Sequence, residues 1–356
     1  MTALVHRLAL PAILAFMALP VLAVNPPAVQ WTRKYSALGG AAGYCVEQTG
    51  DGGYVAAGFA YTDTGHVQFR YLVKTDSSGN AQWQRVDSEA FHADIRSIVQ
   101  TSDGGYAITG GGTLGDSGGT YLARLDAAGN QLWQRFLDGH GDAGYSVLQV
   151  GGGYAVAEWN GWVSLIRTDS LGNQLWIRNY CKVWPPSASV PLQRTADGGY
   201  IIGAKTLIKV DSLGDEQWAK SYDHVFAANS VAQMPDHGYV ATGFLQSDSN
   251  PPQPRMCLLR TDSFGNLRWI RDYGPGSWGS EGRCVEPAAD GGLVVSGRST
   301  QDRIVRTDSS GNVIWSLVLG DVSAQCIRGT TDGGYIITGD GPGFLHLTKL
   351  APDQAR

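Results

Sequence analysis

The amino-acid sequence predicts an all-β fold built from seven similar units of four antiparallel strands. Three observations support this prediction: two repeated turn motifs, and the way the repeat is interrupted at the two ends of the chain. Asp-Gly or Gly-Gly between two alternating apolar segments is a strong β-hairpin signal. The first motif is Asp-Gly-Gly-Tyr or a close variant, and its seven copies begin at Asp51, Asp103, Gly151, Asp197, Asp236, Asp290 and Asp332.

The second motif is an apolar strand, a polar loop and a further strand that carries a tryptophan. Residues 71–83 show it as Tyr-Leu-Val-Lys-Thr-Asp-Ser-Ser-Gly-Asn-Ala-Gln-Trp. Gly79, near the end of the loop, supplies the left-handed backbone conformation that such hairpin loops need. Six copies of this motif end at Trp83, Trp133, Trp176, Trp218, Trp269 and Trp315.

Together the two motifs define a unit of four strands, a to d. In the first unit we expect strand a at residues 44–49, strand b at 54–59, strand c at 71–75 and strand d from Gln82 onward. Successive tryptophans are about 47 residues apart, close to the ~40–50 residues of a four-stranded propeller blade. An antiparallel sandwich is also all-β, but it does not explain near-identical turns in every unit.

The two ends of the chain set the number of units. Residues 30–33 match strand d without a preceding strand c, and residues 344–350 match strand c without a following strand d. We therefore predict a seven-bladed β-propeller at residues 31–350, with residues 351–356 as a C-terminal tail. Its N-terminal strand completes the last blade and closes the ring, which hides edge strands that would otherwise invite aggregation.

Composition and the N-terminal segment indicate where the protein acts. Forty-eight glycines and only 17% charged residues suit short strands and tight turns. Residues 1–23 read as a cleaved signal peptide, followed by a short linker at 24–30, because two basic positions precede an apolar run and small residues. We expect a secreted or periplasmic monomer without a membrane segment after cleavage. The formal net charge of −5 and the lack of a basic run argue against a nucleic-acid partner.

The repeat also resembles a known group of proteins. Asp-Gly-Gly-Tyr, then Lys or Arg followed by Thr-Asp-x-x-Gly-Asn-x-x-Trp, looks like the repeats of exported bacterial β-propeller proteins of the quinoprotein-like, seven-bladed type. The resemblance covers essentially all of residues 31–350 and implies the propeller fold. Two enzyme-linked repeats match less well: the sialidase Asp box has a shorter spacing and the quinoprotein repeat a longer one. Quinoprotein dehydrogenases typically also have eight blades and a vicinal cysteine pair, which this sequence lacks.

The repeats predict which face of the propeller varies. The a–b and c–d turns are short and uniform and lie on one face of a meander, whereas the irregular b–c and d–a connections lie on the other. We call the latter the variable face. Function on a rigid scaffold usually resides in variable loops. Aromatic, imidazole and carboxylate side chains in these connections are the predicted ligand-binding residues: Trp159, Trp162, Trp184, Trp278, His92, His140, Asp142 and His224.

Simpler roles compete with binding for these and other conspicuous residues. The loop tryptophans could pack against one another, and the strand-d tryptophans are expected to pack between blades. Basic residues such as Lys74 should cover apolar surface and place their charges near the loop aspartate, here Asp76, or in solvent. Cys45, Cys284 and Cys326 share one position of strand a, where a disulfide, a metal thiolate or unpaired buried thiols are all conceivable, unpaired thiols being favoured.

Two functions remain open at the level of sequence. The first is a non-catalytic binding propeller that holds a glycan or a protein on its variable face. The alternative is a polysaccharide hydrolase or lyase that uses carboxylates on the same face, since glycosidase chemistry needs two carboxylates at a fixed separation. The sequence favours the first and predicts no catalytic residue and no cofactor. No metal site is predicted, although His92 with Asp94 and His140 with Asp142 form an imaginable pair of ligand sets.

Overall fold

The computed structural model shows a ring of seven four-stranded antiparallel sheets, which confirms the predicted β-propeller. It describes residues 24–62, 67–87, 93–114, 117–137, 143–182, 189–222, 227–246, 253–274 and 280–353. These residues form strands and turns, and no helix lies among them. Accordingly, no helix long and apolar enough to cross a membrane occurs in this described part of the chain.

The first strand belongs to the last blade, and the next sixteen form blades 1 to 4. Strand β1 is Val29–Tyr35. Blade 1 consists of β2 (Gly40–Gln48), β3 (Tyr54–Tyr61), β4 (Gln68–Thr75) and β5 (Ala81–Asp87). Blade 2 consists of β6 (Ser97–Gln100), β7 (Tyr106–Leu114), β8 (Ser117–Leu125) and β9 (Gln131–Phe136). Blade 3 consists of β10 (Ala143–Val150), β11 (Gly153–Trp159), β12 (Trp162–Asp169) and β13 (Gln174–Lys182). Blade 4 consists of β14 (Leu192–Arg194), β15 (Tyr200–Ile202), β16 (Thr206–Val210) and β17 (Glu216–Ser221).

The remaining strands form blades 5 to 7. Blade 5 consists of β18 (Ala227–Gln233), β19 (Tyr239–Gln246), β20 (Pro254–Thr261) and β21 (Leu267–Asp272). Blade 6 consists of β22 (Glu281–Pro287), β23 (Leu293–Arg298), β24 (Asp302–Thr307) and β25 (Val313–Val318). Blade 7 consists of β26 (Ser323–Gly329), β27 (Tyr335–Gly341), β28 (Phe344–Leu350) and β1, in that order across the sheet.

The ring closes as the split repeat predicted. Strand β1 pairs antiparallel with β28, so that Trp31 lies opposite Lys349 and Thr32 opposite Thr348. The threonine hydroxyl oxygens are 3.2 Å apart. The last blade therefore joins the two ends of the described chain in one sheet, and neither end leaves an unpaired strand at the closure.

Blades pack against each other through the strand-d tryptophans, as predicted. Each of these indole rings contacts a tyrosine or a turn of the next blade. The ring centroids of Trp31 and Tyr54, for example, are 5.8 Å apart. The glycine of the next c–d turn lies directly over the ring: a Cβ added to Gly172 would be 2.5 Å from Trp133. Since any larger residue would displace the indole, the left-handed glycine and the tryptophan act as one packing unit.

The interaction predicted between the strand-c cations and the c–d loop aspartates is wrong. Lys74 bonds Asp51, the aspartate of the a–b turn, with 2.7 Å between Nζ and Oδ2. Asp76 instead accepts hydrogen bonds within its own turn, from the backbone and side chain of Asn80. The aspartate of the c–d turn is already satisfied by hydrogen bonds within that turn. The buried cation of strand c therefore reaches the aspartate of the neighbouring a–b turn. The same pairing recurs as Arg124 with Asp103, Lys209 with Asp197, Arg260 with Asp236, Arg306 with Asp290 and Lys349 with Asp332.

Candidate functional site: the axial cavity

A cavity of about 650 Å³ runs along the propeller axis. Its lining comes from the innermost part of all seven blades, and it includes residues just before strand a in blades 2 and 4. Because every strand a runs from the variable face towards the a–b turns, early strand-a residues lie nearer the variable face. The cavity is therefore a concave site whose chemistry changes along its depth.

A β-bulge shapes the cavity wall in five blades. In each of these the pairing of strands a and b shifts by one residue, as between Gly43 and Cys45. The extra residue of a bulge is unpaired and its side chain is re-aimed. Here those side chains line the cavity, together with Arg96, which directly precedes β6. We call this set the axial ring; its members are Tyr44, Arg96, Tyr145, Asn229, Arg283 and Gln325.

The axial ring residues are half-buried and held in place by neighbours. Arg96 forms an ion pair with Asp94, at 3.0 Å between Nε and Oδ2. Its guanidinium lies 4.5 Å from the centroid of Tyr145 in the next blade, a cation–π distance. Burial raises the pKa of Tyr44 to about 12, so its hydroxyl is neutral and free to donate a hydrogen bond.

The second arginine of the ring is also neutralised by carboxylates. Arg283 bonds Asp302 at 2.7 Å and lies 3.2 Å from Glu281. It also donates to Ser323 Oγ of blade 7 at 2.6 Å. Asn229 donates to the carbonyl of Gly282 in the following blade at 3.0 Å. These bonds join adjacent blades and fix the orientation of the axial-ring side chains.

The position after the ring residue joins one blade to the next. Ser97 accepts a hydrogen bond from the backbone N–H of Val147 at 3.1 Å, and Ser230 accepts one from Val285 at 3.2 Å. A small polar side chain therefore links two innermost strands where the blades converge. This explains why the position holds only serine or cysteine in six blades: Cys45, Ser97, Ser146, Ser230, Cys284 and Cys326.

Ionisable groups from three adjacent blades meet deeper in the cavity. Arg328 of blade 7 lies 3.6 Å from Glu286 of blade 6. Burial raises the pKa of Glu286 to about 7, despite the arginine. Burial also raises the pKa of Glu47 in blade 1, whose carboxylate accepts a hydrogen bond from the backbone of Gln100 at 3.0 Å. This level of the wall therefore carries one guanidinium and two carboxyl groups that resist ionisation.

The structure describes two of the residues predicted to bind a ligand, Trp159 and Trp162. Both flank the short b–c turn of blade 3. Trp159 is only 7% exposed and packs in the core with Leu165 and Val190. Trp162 is half-buried, and the ammonium of Lys182 lies 4.7 Å from its ring centroid. The remaining predicted residues lie outside the described part of the chain: Trp184, Trp278, His92, His140, Asp142 and His224.

The imagined pair of metal-ligand sets involves His92 and His140, which also lie outside the described residues. Within the described ranges no group of three or more potential metal ligands occurs. Asp94, the partner assigned to His92, pairs with Arg96 and accepts a hydrogen bond from the backbone of Gly111 at 3.1 Å.

The axial ring was missed at the level of sequence, although a signal exists. Each bulge residue stands between a small residue and a cysteine or serine, as in Gly43-Tyr44-Cys45 and Gly282-Arg283-Cys284. Read across blades, this position combines tyrosine, arginine, asparagine and glutamine within an otherwise uniform repeat. Such variation at a fixed position of a repeat indicates a residue chosen for something other than packing.

No protein-family model matches the chain, and no curated protein matches it. Solved structures do resemble it. BamB from Moraxella catarrhalis is 12% identical, with a TM-score of 0.58, and the match covers 92% of this chain and 99% of that one. A streptogramin B lyase structure is 10% identical, with a TM-score of 0.62, covering 90% of this chain and 97% of that one.

Sheet topology and these similarities define the class of protein: the chain is a seven-bladed β-propeller of four-stranded blades. At 10–12% identity the likeness extends to the fold alone. Function has to be argued from the cavity and its side chains.

Proposed function

We propose that the protein is an exported, non-catalytic binding propeller that holds an uncharged glycan at the mouth of the axial cavity. The observation that carries the proposal is the axial ring, a set of six polar and aromatic side chains aimed into a preformed cavity by bulges and by the start of strand a. Concave sites with an apolar wall and a few oriented polar groups are the usual form of small-ligand sites.

The chemistry of the ring matches a sugar. Tyr44 and Tyr145 offer aromatic faces and hydroxyl groups, and aromatic rings stack against the C–H face of a pyranose. Asn229 and Gln325 offer amides that both donate and accept hydrogen bonds. Arg96 and Arg283 can donate further hydrogen bonds to hydroxyl groups, although each is already bonded to a carboxylate.

Charge at the mouth favours a neutral ligand. Each ring arginine is matched by at least one carboxylate within 3.2 Å, so neither is left as a free cation for an anionic ligand. A neutral, hydroxyl-rich molecule would exchange hydrogen bonds with water for hydrogen bonds with the ring without leaving a charge unpaired.

The variable connections would supply the rim of this site. We propose that Trp162, Trp184 and Trp278 extend the aromatic surface outward. The polar rim would come from His92, His140, Asp142 and His224. Trp159 would act differently, because its burial makes it a support for the adjacent turn and not a contact surface.

The alternative, a polysaccharide hydrolase or lyase, needs two carboxylates free to act as acid, base or nucleophile. Cavity carboxylates of Asp94 and Glu281 are engaged by arginines. Glu286 and Glu47 both have raised pKa values, but both lie beside Arg328 on the side nearer the a–b turns, and Glu47 already accepts a hydrogen bond from the backbone of Gln100. A binding site therefore explains more of the side chains in the cavity wall than a catalytic site does.

A glycan array probed with residues 24–356, followed by calorimetric titration of the best neutral oligosaccharide, tests the proposal. Tyr145→Ala should weaken binding by about five-fold or more, as loss of a stacking ring costs ~1 kcal/mol or more. Leu213→Ala is the matched control, because Leu213 is 64% exposed on the opposite face. Equal affinity of both variants, or release of new reducing ends during incubation, would contradict a non-catalytic site at the axial ring.

A further inference from the structure

Two cysteines of neighbouring blades meet in the cavity wall. Sγ of Cys284 in β22 lies 3.8 Å from Sγ of Cys326 in β26, and both residues line the cavity. All five cysteines are free thiols in this structure. The two sulfurs are thus within a small movement of the ~2.05 Å bond length of a disulfide.

The positively charged guanidinium of Arg328 lies beside one of the two sulfurs. Its Nη1 lies 2.9 Å from Cys284 Sγ. A cation at this distance stabilises the thiolate, which is the nucleophilic form of cysteine. As a neutral thiol, Cys284 instead donates to the carbonyl oxygen of Ile327 at 3.3 Å, so both protonation states have partners.

The two thiols are electrostatically unequal. A hydrogen bond from Cys326 and the charge of Arg328 outweigh burial and hold the pKa of Cys284 below that of an ordinary thiol. The same hydrogen bond, with burial, raises the pKa of Cys326. Glu286 and Glu47 are the other ionisable groups near Arg328, and both have raised pKa values, which limits their competition for its charge.

We propose that Cys284 and Cys326 form a reactive dithiol that exchanges with small-molecule disulfides entering the axial cavity, with Cys284 as nucleophile and Cys326 as resolving thiol. This activity is separate from glycan binding. Cys45, at the same strand position in blade 1, lacks these features: burial raises the pKa of its thiol, which contacts the carbonyl oxygen of Ala57.

The reaction balances with one disulfide as oxidant. The Cys284 thiolate attacks one sulfur of the small disulfide, forms a mixed disulfide and releases one thiolate. Cys326 then gives up its proton and attacks the Cys284 sulfur, which forms the Cys284–Cys326 bond and releases the second thiolate. Two protein thiols are oxidised, one external disulfide is reduced, and two external thiols leave with the two protons.

The experiment uses the reduced protein of residues 24–356 and dithiodipyridine as the small disulfide. Every variant carries Cys181→Ser, because Cys181 is a half-buried free thiol that would retain an adduct of its own. A rapid phase should release two thiopyridone molecules per protein, leave no adduct and produce a peptide linking Cys284 to Cys326. Cys326→Ser should stop at one release, with the adduct retained on Cys284. Cys284→Ser should slow the rapid phase by about ten-fold or more.

Serine variants are suited to this test because Ser97, Ser146 and Ser230 occupy the same position in other blades. Arg328→Gln should slow the rapid phase by about ten-fold through loss of thiolate, and Arg328→Lys should restore most of it. Cys45→Ser is the matched control and should leave the rapid phase intact.

Cys257 is fully buried in blade 5 and reports on unfolding. The proposal is overturned if Cys257 or Cys45 is labelled as fast as Cys284. It is equally overturned if the Cys181→Ser protein retains adducts on Cys284 or Cys326 instead of forming the disulfide, or if the rate does not respond to Arg328→Gln.

Discussion

At the scale of single residues, one short ion pair is repeated around the ring. A buried lysine or arginine of strand c reaches the aspartate of the a–b turn in six blades. Blade 3 departs from this rule because its turn has Gly151 in place of aspartate. There Arg167 donates to backbone carbonyls, including that of Tyr154 at 2.7 Å. The cation is therefore retained even where the carboxylate is lost, since carbonyl oxygens can satisfy it.

The pH dependence of this pair can be predicted for Asp51. Partial burial opposes ionisation, but hydrogen bonds from Lys74, Thr49 and Gly53 outweigh it and lower the pKa of Asp51 to about 2. A carboxyl whose pKa is lower in the folded state stabilises the fold above its unfolded pKa, 3.8 here. That contribution is lost as pH falls through about 2.

Asp51→Asn should therefore lower the urea midpoint of unfolding at pH 7, and the difference from wild type should shrink as pH falls from about 4 towards 2. Urea unfolding followed by tryptophan fluorescence at several pH values measures this. Glu216→Gln removes the same charge from an exposed strand position and serves as control. A difference that stays constant down to pH 2 would show that Asp51 acts through packing alone.

At the scale of elements, the c–d turn of one blade is part of the packing of the blade before it. Gly172 has φ +80°, and a Cβ added to it would lie 2.5 Å from the Trp133 ring. Strand d of blade 3 holds the c–d turn of blade 4 at two points: Trp176 packs against Gly214, and the Tyr180 hydroxyl donates a hydrogen bond to the carbonyl of Gly214 at 2.9 Å. In blade 7, strands c and d are β28 and β1, so no c–d turn joins them and none covers Trp315 of blade 6. There Asp353 accepts a hydrogen bond from the Trp315 indole N–H at 2.9 Å.

Gly172→Ala should destabilise the protein by about 2 kcal/mol or more. A left-handed backbone conformation costs a non-glycine residue ~1–2 kcal/mol, and the added methyl group would also overlap the Trp133 ring. Thermal unfolding compared with Gly152→Ala gives the measurement, because Gly152 has a similar φ of +77° and nothing lies within 4 Å of a Cβ added there. Equal effects of the two substitutions would refute the coupling between turn and tryptophan.

At the scale of the whole molecule, stability depends on joining the two ends of the chain. Strand β1 is largely exposed apart from Tyr35 and is held by its pairing with β28. Ala28 adds one more bond, since its carbonyl accepts the N–H of Ala351 at 2.9 Å. Opening this sheet would expose the edges of both strands and interrupt the ring.

A cross-link across the closure should stabilise the fold. Thr32 and Thr348 are direct partners, and their sequence separation is 316 residues. A disulfide in Thr32→Cys/Thr348→Cys would close this very long loop and should raise the free energy of unfolding by up to about 5 kcal/mol. The melting temperature should rise under oxidising conditions and return to the control value under reducing ones. An unchanged melting temperature of the cross-linked protein would mean that the ring opens elsewhere first.

Much of the architecture was predictable because it is local. A left-handed glycine in a short loop, an alternating apolar segment and a tryptophan at fixed spacing specify a hairpin wherever they occur. Their repetition determined the four-strand unit, the number of blades and the split last blade, which the pairing of β1 with β28 confirms. Strand a was predicted to begin at Tyr44, whereas β2 begins at Gly40, because pairing with β3 continues past the bulge.

Only the tertiary structure decided which residues share the axis. Sequence spacing does not reveal that Arg328 and Cys284, 44 positions apart, are in contact, since the ring brings equivalent positions of neighbouring blades together. Likewise, the partner of Lys74 was not deducible: both Asp51 and Asp76 are near it in sequence, and only the direction of the buried side chain selects Asp51. Periodicity therefore determines the repeat and its turns, while convergence of strands at the axis determines the cavity and its chemistry.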